Sequence, residues 1–60
     1  MRTIKILIIE DDSMLRELYT ELLTSEGYNI ESAPDGSKGL EKMKTGGWDI
    51  ILLDIMLPII

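Results

Sequence analysis

The chain has 60 residues, of which 45% are hydrophobic, and its 11 acidic and 6 basic residues give a net charge of -5 at pH 7. It contains no cysteine and no histidine, which excludes disulfide frameworks, thiolate zinc sites and Ser/His/Asp catalysis. The acidic balance disfavours direct nucleic-acid binding. A chain of this length buries only roughly 60% of its unfolded surface, so something must compensate for the small core.

No targeting or membrane segment is predicted. The apolar run over residues 4–9 is too short, and too soon followed by acids, to be a signal peptide. The longest apolar stretch, residues 50–60, is interrupted by Asp54 and Pro58, and it falls short of the roughly 20 residues that a membrane helix needs. We therefore expect a soluble, cytoplasmic protein that does not bind a membrane.

The first two elements in chain order are predicted to be a strand and a helix. Residues 4–9 form an isoleucine-rich, nearly continuous apolar run, which is typical of a strand covered on both faces. The next apolar residues recur with the spacing of an amphipathic helix. They are Leu15, Leu18, Tyr19, Leu22 and Leu23. Asp12 or Ser13 can cap the start of this helix, and Gly27 lies where a terminating glycine is expected.

A second strand and a second helix follow. Residues 28–33 alternate loosely and are interpreted as a short edge strand, and residues 34–36 (Pro-Asp-Gly) signal a turn. A weaker helix is predicted over residues 37–45, with Leu40 and Met43 facing inward. The alternation of strands and helices indicates an α/β fold.

The third predicted strand, residues 50–55, has the composition of a strand buried on both faces, like the first. Strands that alternate with helices imply parallel pairing and right-handed crossovers. We therefore expect the spatial order 2-1-3, with the first strand in the middle. The third strand is then an edge, although apart from Asp54 it lacks the charges and bulges that protect natural edges. Its composition predicts that a further strand lies beyond it.

Carboxylates follow two strands that are expected to be neighbours. Glu10, Asp11 and Asp12 come directly after the first strand, and Asp54 ends the third. In a parallel sheet, ligand-binding groups collect outside the carboxyl ends of the strands, near the switch in strand order. Each acidic group alone also fits a solvated loop or a helix start. Together they predict a functional carboxylate cluster, which suits a hard cation such as Mg²⁺.

Four stretches of the sequence form a specific combination. They are ILIIEDDSMLR at residues 6–16, EGY at 26–28, APDG at 33–36 and DIILLDIMLP at 49–58. Together they resemble the receiver domain of bacterial two-component response regulators, and the resemblance covers residues 1–60 without a gap. It implies a flavodoxin-like, doubly wound parallel sheet and a phosphoacceptor module of a phosphorelay. Such a module is a signalling protein rather than an enzyme, and its partner is a sensor histidine kinase.

The resemblance also implies roles for individual residues. Asp54 matches the phosphoacceptor, the nucleophile that becomes an acyl phosphate, and it also contacts the metal. Asp11 matches the direct Mg²⁺ ligand, and Glu10 matches the second acidic residue of the pocket, which commonly acts through water. The backbone carbonyl of Met56 is expected to complete the protein ligands. Asp12 is not expected to bind the metal.

The chain also departs from the family pattern. An intact receiver continues with two more strands, a Ser or Thr after the fourth strand, and a Lys after the fifth. It also carries an aromatic switch residue on the fifth strand. We therefore expect residues 1–60 to be the N-terminal half of a receiver domain, with impaired phosphotransfer.

Two other interpretations stay open. In the first, the chain is an inactive, self-associating half-domain that forms a homodimer through its exposed third strand. In the second, it is an aspartate-nucleophile phosphatase of the haloacid dehalogenase type, which also places an Asp at a strand end. That family expects a second Asp two positions later, where this chain has Met56.

Overall fold

Strands and helices alternate along the computed structural model, which describes residues 2–53. In chain order they are β1 (Lys5–Ile9), α1 (Ser13–Ser25), β2 (Asn29–Ala33), α2 (Gly36–Met43) and β3 (Ile50–Leu53). β1 pairs in parallel with β2 on one side and with β3 on the other, so the sheet order is β2-β1-β3. The predicted α/β class, the parallel pairing and the 2-1-3 order are confirmed.

β1 is the centre of the core. Its last four residues, Ile6 to Ile9, are all buried, and Leu7 and Ile8 are fully inaccessible. Side chains alternate between the two faces of a strand. α1 connects β1 to β2, and α2 connects β2 back across β1 to β3. Right-handed crossovers in these opposite directions place the two helices on opposite faces of the sheet. β1 is therefore covered from both sides, as its sequence predicts.

The ends of α1 follow the predicted signals. Asp12, rather than Ser13, is the N-cap, and Gly27 has a φ of 96° just after the C-cap Glu26. That left-handed conformation carries little strain for glycine, which explains why the helix ends there. Neither α1 nor α2, the helices within residues 2–53, has the length and hydrophobicity needed to cross a lipid bilayer.

α2 begins at Gly36 and approaches the sheet more closely than its sequence suggests. Gly39 is buried against Ile9, where a Cβ atom would overlap the Ile9 side chain and lie 2.8 Å from its Cγ1. The prediction that Leu40 faces inward is wrong, because the helix meets the sheet through Gly39 and leaves Leu40 53% exposed. Met43 packs against the core as predicted.

β3 is the least covered strand. Its sequence predicts burial on both faces, yet Ile50, Ile51 and Leu53 are 44%, 39% and 65% exposed. The described residues of β3 are uncovered because α1 and α2 pack on β1 and β2, and neither packs on β3. The expectation that the third strand is an exposed edge is confirmed within residues 2–53.

The amino-terminal end of the sheet is closed by Asp49. Its carboxylate accepts hydrogen bonds from the Arg2 guanidinium at 3.1 Å and from the Lys5 backbone N–H at 2.9 Å. Its own N–H donates to the Lys5 carbonyl at 2.8 Å. The hydrogen bonds from Arg2 first, and from Lys5 second, hold the pKa of Asp49 below its usual value. This clamp ties the start of β1 to the residue before β3.

We predict that Gly39→Ala destabilises the fold, although alanine is the better helix former. Forcing an extra methyl group into a packed core costs about 1–3 kcal/mol, which exceeds the gain in helix propensity of roughly 1 kcal/mol. Urea unfolding followed by circular dichroism measures the change. Gly36→Ala is the control, since nothing lies within 4 Å of its Cβ position. A Gly39→Ala variant at least as stable as the parent would contradict this prediction.

We predict that Asp49→Asn lowers stability at neutral pH and weakens its decline in acid. The pKa of Asp49 is lower in the folded chain than in the unfolded chain. Its contribution is therefore fully present above the unfolded value and is lost as pH falls through the folded value. Urea midpoints measured across the acid range test this, with Glu41→Gln, an exposed carboxylate on α2, as the control. An acid profile identical to the parent's would rule the clamp out.

Candidate functional site

The candidate site lies at the carboxyl end of β1, where the chain turns into α1. β1 pairs with β3 so that Ile9 lies opposite Leu53, the residue before Asp54. The adjacency of the two strands that precede the predicted carboxylates is therefore confirmed. Asp54 and Met56 lie outside the described residues, and their predicted roles stay predictions.

Glu10 is buried, with 4% of its surface exposed. Its N–H donates to the Ala33 carbonyl at 3.1 Å, which places it at the end of the pairing between β1 and β2. Its Oε2 accepts a hydrogen bond from the Asp12 N–H at 3.1 Å. No lysine or arginine within residues 2–53 forms an ion pair with it. Burying a carboxylate without a cation is costly, so Glu10 is a strong candidate for contact with a bound cation.

Asp11 is exposed and adjoins an open cleft between the β1–α1 and β2–α2 connections. The cleft is lined by Ile9, Asp11, Pro34, Asp35 and Gly36. The buried carboxylate of Glu10 and the exposed carboxylate of Asp11 lie at the same strand end, beside solvent. This arrangement suits Mg²⁺, which prefers oxygen ligands and keeps several waters. Within residues 2–53 no group of three candidate metal ligands is found; the third predicted carboxylate, Asp54, lies outside that range.

Asp12 serves α1 rather than the cleft. Its Oδ1 accepts hydrogen bonds from the N–H groups of Met14 at 2.9 Å and Leu15 at 3.1 Å. These are amides of the first helical turn, which have no partner within the helix. The capping role agrees with leaving Asp12 out of the predicted metal ligands.

Arg16 is part of the site, although the sequence did not single it out. Its Nη1 donates to the Glu10 backbone carbonyl at 2.8 Å, and its backbone N–H donates to the Asp12 carbonyl at 2.9 Å. The backbone contact is the first i→i−4 hydrogen bond of α1, and the side-chain contact ties α1 to the acidic turn that follows β1. The sequence feature that could have predicted this contact is an arginine four residues after the N-cap Asp12, on the face of α1 that lies toward the end of β1.

Comparison with known proteins identifies a family. Residues 6–60 match the family model for the response regulator receiver domain. The transcriptional regulatory protein DltR of Streptococcus agalactiae is 44% identical over 54 residues, which cover 90% of this chain and 24% of DltR. The response regulator ArlR of Staphylococcus aureus is 43% identical over 54 residues, which cover 90% of this chain and 25% of ArlR.

A solved structure shares the fold. The chemotaxis protein CheY4 of Vibrio cholerae superposes with a TM-score of 0.86 at 29% sequence identity, over 97% of this chain and 48% of that protein. The chain therefore spans less than half of CheY4 and a smaller share of the two curated relatives.

We predict that Asp12→Ala destabilises the chain by about 1 kcal/mol, the usual loss for an aspartate N-cap. Asp12→Ser keeps a side-chain oxygen for the Met14 and Leu15 amides and is expected to recover most of this loss. Urea unfolding of the two variants beside the parent measures the effect. Equal stability of the alanine and serine variants would show that the cap contributes nothing.

Proposed function

Because the chain belongs to the response regulator receiver domain family, we propose that it accepts a phosphoryl group on Asp54 with Mg²⁺ bound beside it. One observation carries the proposal: Glu10 and Asp11 lie at the carboxyl end of β1, next to the strand that leads to Asp54. The burial of Glu10 without an ion pair to residues 2–53 supports a cation at this position.

In the proposed reaction, a carboxylate oxygen of Asp54 attacks the phosphorus of a phosphorylated donor. The bond from phosphorus to the donor breaks as the new phosphorus–oxygen bond forms, and Asp54 becomes an acyl phosphate. Phosphoryl transfer needs mainly alignment and charge neutralisation, and Mg²⁺ supplies the positive charge. Asp11 and Glu10 would hold the cation, directly and through water respectively, and the Met56 carbonyl would complete the protein ligands.

The proposed donor is the phosphohistidine of a sensor histidine kinase. Receiver domains are signalling modules, and the chain is proposed to relay a phosphoryl group rather than to turn over a substrate as an enzyme. The net charge of -5 argues against direct nucleic-acid binding by these residues. We place this relay in the cytoplasm. The homodimer expected through the third strand stays a prediction and forms no part of this proposal.

We predict that acetyl phosphate and Mg²⁺ together add one hydroxylamine-labile phosphoryl group to the chain. Intact-mass spectrometry measures the addition, and hydroxylamine tests whether it is an acyl phosphate. Asp54→Asn is expected to abolish labelling because its amide is a poor nucleophile, and Asp11→Asn is expected to reduce it strongly. Glu41→Gln, on the exposed side of α2, is the control and is expected to label like the parent. Labelling that persists in Asp54→Asn would refute the assignment.

A further inference from the structure

We propose that Arg16 is a positioning residue that holds the main chain of Glu10 and thereby keeps the Glu10 carboxylate in the acidic site. The contact itself is an observation: Nη1 of Arg16 donates to the Glu10 carbonyl at 2.8 Å in a partly buried position. Its consequence for Mg²⁺ rests on the proposed function. Its consequence for the turn does not.

Glu10 is held from three directions. β2 holds it through the Ala33 carbonyl, and the turn holds it through the Asp12 N–H, which donates to its Oε2. α1 holds it through the side chain of Arg16. The first two partners are backbone groups, of Ala33 and Asp12. Arg16 is the one partner of the three that holds Glu10 through its own side chain, so truncating that side chain deletes the contact while Glu10 itself is unchanged.

The Arg16 side chain contacts one end of the acidic turn, and its backbone makes the first i→i−4 hydrogen bond of α1 at the other end. Its backbone N–H donates to the Asp12 carbonyl at 2.9 Å while its guanidinium donates to the Glu10 carbonyl. Without the guanidinium, the Glu10 carbonyl loses this partner and the peptide between Glu10 and Asp11 gains freedom to rotate. Such rotation moves the Asp12 N–H away from Glu10 Oε2 and changes the direction of the Asp11 side chain.

A positioning role and a purely electrostatic role of Arg16 predict opposite changes in Mg²⁺ affinity when its guanidinium is removed. A cation beside the site repels Mg²⁺, so if charge alone mattered, its removal would tighten metal binding. If Arg16 positions the carboxylates, its removal weakens metal binding although a repulsive charge is lost. The sign of the change in Mg²⁺ affinity therefore separates the two roles.

The experiment compares Arg16→Met and Arg16→Gln with the parent chain. Both variants are neutral, and glutamine ends too far back to reproduce the contact. Arg2→Met is the matched control, because it removes a basic residue at the opposite end of the sheet, where Arg2 pairs with Asp49. Circular dichroism checks folding, and Arg16→Gln decides alone if the methionine variant loses its helical signal.

The first readout is amide hydrogen exchange without metal. The Asp12 N–H is expected to exchange about fivefold faster in the Arg16 variants, the equivalent of one lost hydrogen bond, while the Leu7 amide in β1 is unchanged. A merely structural role would accelerate both amides. Unchanged exchange at Asp12, or equal acceleration at Asp12 and Leu7, overturns the proposal.

The second readout is titration with magnesium chloride, followed by the amide shifts of Glu10, Asp11 and Asp12. Affinity about fivefold weaker in the Arg16 variants, and unchanged in Arg2→Met, supports the proposal. Equal or tighter binding in the Arg16 variants overturns it. A parent chain that binds no Mg²⁺ contradicts the metal in the proposed function, and the exchange measurement then decides on Arg16 by itself.

Discussion

The parallel pairing of β1 with both of its neighbours is the constraint on which the rest of the structure depends. Because β1 lies between β2 and β3, its residues Ile6 to Ile9 are hydrogen-bonded on both sides and covered on both faces. Parallel strands end at the same edge of a sheet, so this pairing also brings Glu10 next to the strand that leads to Asp54. One set of backbone hydrogen bonds thus builds the core and locates the candidate site.

The two ends of this sheet are stabilised differently. At the amino-terminal end, Asp49 has a guanidinium and a backbone N–H as partners, so its charge stabilises the fold. At the carboxyl end, Glu10 is buried without an ion pair to the described residues, which costs stability. The chain therefore has an ion-paired carboxylate at the end away from the candidate site, and within that site a buried carboxylate that has no ion pair to residues 2–53. This difference agrees with the proposed binding of a cation at the carboxyl end.

Burial is where local pattern and structure disagree. Leu40 and the apolar residues of β3 belong to segments that suggest full burial, yet they are exposed because no described helix packs over them. Conversely, Gly39 has no hydrophobic side chain and still makes the closest contact between α2 and the sheet. Whether a residue is buried depends on which elements pack against it. Those elements are distant along the chain, so a short segment of sequence does not predict them.

The sequence by itself determined the α/β class and the strand order, and it predicted the acidic residues of the candidate site. These follow from short features, namely the alternating strand and helix periods, the continuous apolar run of β1 and the carboxylates after β1. Only the tertiary structure decided that Asp12 caps α1, that Arg16 reaches back to Glu10, and that Arg2 and Asp49 close the opposite end. Those contacts depend on the angle and distance at which helix, turn and strand meet. Packing of the whole chain sets that geometry, because the sequence pattern of each element leaves it open.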